Sequence, residues 1–116
     1  MSFFRDDEFM CKCGCGLDID KDFKRLIAEA REIAGIPFIV TSAARCKEHN
    51  ADIGSKSTSS HVAGLAVDIA CSDSRSRSII ELAFCKLGVN RKGISETFLH
   101  FDVDTQKDRD VTWLYK

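Results

Sequence analysis

Ser59-Ser60-His61-Val62-Ala63-Gly64-Leu65-Ala66-Val67-Asp68 sets an imidazole, a glycine and a carboxylate within ten residues. Leu65-Ala66-Val67-Asp68-Ile69-Ala70 is short, apolar and β-prone, and reads as a strand. His61 precedes it, at the end of a polar loop of small residues, Gly54-Ser55-Lys56-Ser57-Thr58-Ser59-Ser60. The seven-residue separation of His61 and Asp68 is odd, so one continuous strand would point them to opposite faces. Gly64 has no Cβ to clash in a sharp turn, and a turn there returns both side chains to one point.

The other chemistry-bearing segment is Phe98-Leu99-His100-Phe101-Asp102-Val103, a further strand. An imidazole buried in such an apolar run needs a partner for each nitrogen. A zinc ion on one side and an acceptor on the other would satisfy both. Two histidines, one carboxylate and one open position form a common catalytic zinc set, in which bound water has a pKa of about 7. On the residues alone, His100 is equally an ordinary hydrogen-bonded core histidine, and Asp68 a polar strand end. His49, the third histidine, is read as a structural or rim residue.

Elsewhere the pattern alternates helix and strand. Phe23, Leu26, Ile27, Ala30, Ile33 and Ala34 recur at helical spacing over 22–34, with Asp18 or Asp20 as the cap and Gly35 as the stop. Phe38-Ile39-Val40-Thr41 predicts a short buried strand after Pro37, and 45–53 a short helix. Ser72 or Asp73 caps a helix over 74–87, with Ile79, Ile80, Ala83, Phe84 and Leu87 on its buried face and Gly88 at its end. Val111-Thr112-Trp113-Leu114-Tyr115 reads as a strand or a packed tail, and 1–17 as irregular. The expected architecture is α+β, one domain over 1–116 with a small, mainly antiparallel sheet and two or three packed helices.

With 17 basic and 18 acidic residues, the net charge of −1 leaves no electrostatic footprint for nucleic acid. No run approaches the roughly 20 apolar residues of a membrane-spanning helix, and Met1-Ser2-Phe3-Phe4-Arg5-Asp6-Asp7 does not read as a secretory signal. The expectation is synthesis in the cytoplasm, no membrane insertion, and a monomer by default. Six cysteines are many for this length. Alternation puts Cys11, Cys13 and Cys15 on one face of an extended segment. A structural zinc there would need a fourth ligand such as Cys46 or Cys71; ordinary buried thiols or an adventitious disulfide are the competing readings.

Ser-x-His-x-x-Gly-x-Ala-x-Asp over 59–68, followed by His100-Phe101-Asp102, resembles the D-alanyl-D-alanine carboxypeptidase family of zinc peptidases. That family includes cell-wall carboxypeptidases and phage endolysins, with the hedgehog signalling domain as a distant structural relative. Thr41-Ser42-Ala43-Ala44-Arg45-Cys46-Lys47-Glu48-His49-Asn50 is similar to its arginine-bearing segment, and Cys11-Lys12-Cys13-Gly14-Cys15-Gly16 to the start of a short phage-associated branch. The likeness runs from about residue 9 to Trp113-Leu114-Tyr115. It implies zinc ligands at His61, Asp68 and His100, and a substrate-holding guanidinium at Arg45, whose planar donor fork suits a carboxylate or carbonyl. Ser59 is expected to bond substrate or to buttress its loop.

The general base is the departure from the family pattern. Many relatives carry an acid three residues before the last histidine, where this chain has Thr97; Glu96 is one residue earlier. A straight strand would set Glu96 roughly 13 Å from His100. A turn near Ile94-Ser95-Glu96 would close that gap, and Glu96 is the expected base on that condition. Asp102 is the substitute, as base, ligand orienter or substrate contact. The implied activity is hydrolysis of an amide bond in the peptide stem of bacterial peptidoglycan, by a carboxypeptidase or endopeptidase of endolysin type. Without a secretory signal, such an enzyme reaches the wall by phage-type release or delivery. Two rivals stand beside it: a non-catalytic zinc-binding recognition module on the same fold, and a cysteine-rich adaptor with its metal in the N-terminal cluster.

Overall fold

A computed structural model describes residues 7–56 and 59–115. The predicted irregular segment before Asp7, and Ser57-Thr58 of the polar loop, lie outside the described residues. The elements are α1 (Lys21–Ala34), β1 (Val40–Ser42), α2 (Lys47–Asp52), β2 (Ala66–Ala70), α3 (Ser74–Lys86), β3 (Lys92–Ile94), β4 (Phe98–Asp102) and β5 (Thr112–Leu114). The strands form one sheet in the order β1-β2-β4-β3-β5, antiparallel throughout except where β5 runs parallel to β3. The α+β expectation stands.

Both long helices start where a carboxylate meets an orphan backbone amide. Asp20 accepts from the Phe23 N–H at 3.0 Å, and Asp73 from the Ser76 N–H at 2.9 Å. Phe23, Ile27 and Ala30 of α1, and Ile80, Ala83 and Phe84 of α3, turn their buried stripes toward one side of the sheet. That side carries Val67 and Ile69 of β2 and Leu99 and Phe101 of β4, all fully buried. Phe84 lies at the centre, stacked on Phe101 at 3.9 Å between ring centroids and on Phe38 at 5.9 Å.

The alternation of β2 and β4 divides their residues between two faces. Val67 pairs with Phe101 and Ile69 with Leu99 on the helix-covered face. The intervening pairs, Ala66 with Asp102 and Asp68 with His100, face the other way. The helices thus build the core on one side and leave the chemistry on the other.

One local expectation is corrected, one strand is added, and one pair of alternatives is decided. The first strand starts at Val40 rather than Phe38 and is an edge strand, not a buried one: Phe38 turns into the core, whereas Ile39 is 65% exposed. Its pairing with β2 shifts register between Val40 and Ser42. Lys92-Gly93-Ile94, which has no strand-like sequence pattern, is β3; it closes a hairpin onto β4, with the Ser95 N–H donating to the Phe98 carbonyl at 3.0 Å. The terminal run is a strand rather than a tail, because β3 gives Thr112–Leu114 a parallel partner.

Phe84 belongs wholly to the core face. Phe84→Ala should destabilise the fold by about 3–5 kcal/mol. Urea unfolding of the metal-free protein checks this; a loss below about 1 kcal/mol would mean that the aromatic stack is not the centre of the core.

Candidate metal centre

The antiparallel register sets Asp68 directly opposite His100. His100 Nδ1 lies 2.8 Å from Asp68 Oδ1, and His61 Nε2 lies 3.3 Å from the same oxygen. The two imidazoles meet edge to face, 5.2 Å between centroids. One ligand atom from each of His61, Asp68 and His100 falls within 4.8 Å of the other two. His61 arrives from the turn before β2. Gly64 takes φ +73° there, a conformation that strains any residue bearing a Cβ. The turn is held from three sides: the Gly64 and Arg45 N–H groups donate to the His61 carbonyl at 3.2 and 3.1 Å, and the Asp20 N–H donates to the Gly64 carbonyl at 2.9 Å. The cap residue of α1 therefore also fixes a site residue.

Each imidazole has its remote nitrogen occupied. His61 Nδ1 is 2.6 Å from the Ala43 carbonyl, an acceptor, so Nδ1 carries a proton and Nε2 is the nitrogen that faces Asp68. His100 Nε2 is 2.7 Å from Asp102 Oδ2, which leaves Nδ1 for the site. Such acceptors behind the ring are what orient metal-binding histidines and raise their basicity. Asp102 is held in turn by Arg91, whose Nε donates to Oδ1 at 2.6 Å and whose Nη1 donates to the Asp108 carbonyl. The arrangement fits a divalent metal: two imidazole nitrogens and one carboxylate oxygen converge, and each ring is held from behind by an acceptor.

Electrostatics agree. Burial alone would raise the Asp68 pKa, but hydrogen bonds from His100 and His61, with their charge, hold it down at about 2. Burial would lower the His100 pKa, but Asp102 and Asp68 outweigh that and raise it above the ordinary histidine value.

A cavity of about 300 Å³ opens over the three residues. Arg45 lines it and is 8% exposed. Its Nη1 donates to Asn50 Oδ1 at 3.2 Å, while its buried Nε has no hydrogen-bond partner among the described residues. Ser59 also lines the cavity, and its Oγ accepts from the His61 N–H at 3.3 Å, which buttresses the turn. Asp102 touches the wall, but its side chain is 1% exposed and both oxygens are engaged by His100 and Arg91. Both oxygens are thus turned to Arg91 and His100, and Asp102 holds the His100 ring from behind.

Glu96 is not brought to the site. The turn does fall at Ser95–Thr97, but it leaves Glu96 exposed and outside the cavity wall. The carboxylates that line the cavity are Asp68 and Asp102. His49 stays on α2, outside the converging group.

Sequence reasoning passed over the far wall. Trp113 of β5 and Tyr115 just beyond it lean over Gly93 toward His100, with ring centroids 5.4 and 6.5 Å from its own. A Cβ on Gly93 would stand 2.4 Å from Trp113 Nε1 and from Tyr115 Cε2, so the wall exists because this residue has no side chain. The Arg91 guanidinium covers Trp113 at 5.1 Å. The available signal was the period-two spacing of the two aromatics; the missing piece was which strand they would join.

Metal must displace any proton from His100, so zinc affinity should fall as pH drops below the raised His100 pKa. Asp102→Asn removes a charge that raises it, and should move the midpoint of that pH dependence downward; an unmoved midpoint would contradict the Asp102–His100 linkage. The same titrations can be read by fluorescence, because Trp113 is the only tryptophan. Zinc should change its emission in wild type and not in His61→Ala.

No curated protein matches the chain. The sequence profile of the family described as Peptidase M15 matches residues 3–102, most of the 116, beginning ahead of the likeness seen in the sequence and stopping before β5. With the His61, Asp68 and His100 convergence already in view, that match decides the matter: the chain belongs to the Peptidase M15 family of zinc-dependent, D-alanyl-D-alanine-carboxypeptidase-like peptidases.

Proposed function

We propose that this peptidase cleaves an amide bond in the peptide stem of bacterial peptidoglycan, as a single catalytic domain of carboxypeptidase or endopeptidase type, resembling endolysins. The observation that carries the reading is the convergence of His61, Asp68 and His100 beneath a cavity that also holds the buried guanidinium of Arg45. His61 through Nε2, His100 through Nδ1 and Asp68 would hold the zinc. When bound, zinc supplies Lewis-acid polarisation of the scissile carbonyl and acidifies water.

The chain's own residues account for binding and orientation. Arg45 keeps an unspent buried donor, and a substrate carboxylate or carbonyl satisfies it while gaining a charge-assisted bond. Trp113 and Tyr115 give the opposite wall an apolar surface with polar tips, suited to a short, mixed peptide. Ser59 keeps the His61 turn in place, and Asp102 keeps the His100 ring in register. Glu96 takes no part in the chemistry. We read the protein as a monomer made in the cytoplasm that meets the wall after phage-type release or delivery.

One observation favours a second reading. Among the described residues, no carboxylate lines the cavity beyond the two already engaged with histidines. A zinc-stabilised recognition module would need none.

Release of free amines from purified peptidoglycan separates the readings. Wild type should release amines, and His61→Ala should lose zinc and at least about 100-fold in rate. Arg45→Ala should raise KM about tenfold or more. Glu96→Gln should stay within about twofold of wild type, as exposed substitutions away from a site do. Zinc-loaded wild type that releases nothing from several wall types would support the recognition module instead.

A further inference from the structure

Four of the six cysteines gather in a group of their own, away from the peptidase site. Cys11, Cys13 and Cys15 sit on the loop before α1, and Cys46 caps α2. Cys11 is buried, Cys46 half-buried, and none of the four is in a disulfide. All four Sγ atoms lie within 4.8 Å of one another, with Cys11–Cys13 at 3.4 Å and Cys13–Cys46 at 3.5 Å.

Three features set this apart from a chance grouping. The first is backbone shape. An extended Cys-x-Cys-x-Cys run would spread its thiols along one face, but Gly14 and Gly16 both take φ +86°, and the loop curls until the thiols converge. The second is the direction of nearby donors. The Cys46 N–H donates to Cys11 Sγ at 3.3 Å, and the His49 N–H to Cys46 Sγ at 3.4 Å. Backbone amides aimed at sulfur stabilise thiolate and fix its orientation. The third is size. A tetrahedral ion with bonds of about 2.3 Å separates its sulfurs by about 3.8 Å, close to the observed spacing. A disulfide requires about 2.05 Å, and an iron–sulfur cluster needs its thiolates set farther apart.

We infer that Cys11, Cys13, Cys15 and Cys46 form a second, structural metal site that binds one tetrahedral zinc ion and clamps the N-terminal loop to the start of α2. The closed, four-thiolate set leaves no open position for chemistry. Cys46 supplies the ligand that Cys71 does not: Cys71 is buried in the core, its Sγ directed to the Asp73 carbonyl. The clamp joins elements already in contact, with the Ala44 N–H bonded to the Phe9 carbonyl at 3.0 Å. It also lies next to Arg45, so it holds one end of the peptidase cavity. The site does not depend on the peptidase reading.

The test is metal content per chain for the full-length protein purified in reductant, together with the absorption spectrum after cobalt substitution. Wild type should carry two zinc ions, and Cys13→Ser and His61→Ala one each. Cobalt-loaded wild type and His61→Ala should both show intense thiolate-to-cobalt charge-transfer bands, and Cys13→Ser should not. Removal of this zinc should lower Tm by roughly 10 °C. If Cys13→Ser does not fold, the cobalt spectrum of His61→Ala still decides the question, since this variant keeps all four thiols. Absence of the charge-transfer bands, or four thiols that react freely with a thiol reagent in the native protein, would overturn the site. Bands present with His61→Ala losing no metal would uphold it and count against the peptidase centre.

Discussion

Everything at the site depends on the pairing of β2 with β4. Asp68 opposite His100 is a consequence of register, and a one-residue slip of β2 along β4 would turn Asp68 to the helix-covered face, away from His100. The apolar residues prevent that slip. A slip of β2 would take Val67 and Ile69 out of the core, at about 1.5–3 kcal/mol for each side chain, and a slip of β4 would do the same to Leu99 and Phe101. The core therefore positions the chemistry although it contributes no atom to it. Asp68 and His100 are held together on the open face by apolar groups packed on the closed one.

From that pair the constraints extend outward. His61 is added by the Gly64 turn, which is tied to the cap of α1 and to the backbone of Arg45. Asp102, two residues beyond His100 on the same face, fixes the ring from behind and is itself held by Arg91. Arg91 then covers Trp113, which leans over Gly93. The run from Asp68 through His100, Asp102 and Arg91 to Trp113 is continuous contact between polar and aromatic groups. Substituting any one of these residues should disturb its neighbours as well, so their effects will not add.

Much of this was legible in the sequence. The α1 and α3 periodicities, the capping aspartates and the two central strands follow from local patterns that the tertiary structure does not contradict. The His61, Asp68 and His100 set was legible because Gly64 announces a turn between residues that a straight strand would separate. What escaped were features created by pairing. Lys92-Gly93-Ile94 has no strand signature of its own and becomes one only against β4. Trp113 and Tyr115 become a wall only because β5 joins β3. Glu96 was expected at the site on the strength of a turn that does form, but the turn leaves it facing solvent. The convergence of Cys46 with the N-terminal thiols likewise depends on left-handed glycines and long-range contact, which spacing alone does not reveal.

The most direct test of this account is a zinc-loaded crystal structure with anomalous diffraction at the zinc edge. The account predicts an ion about 2.0–2.2 Å from His61 Nε2, His100 Nδ1 and an Asp68 oxygen, with His100 Nε2 still bonded to Asp102. Zinc bound instead through His100 Nε2, with the Asp102 contact broken, or no ion between these three residues, would contradict it.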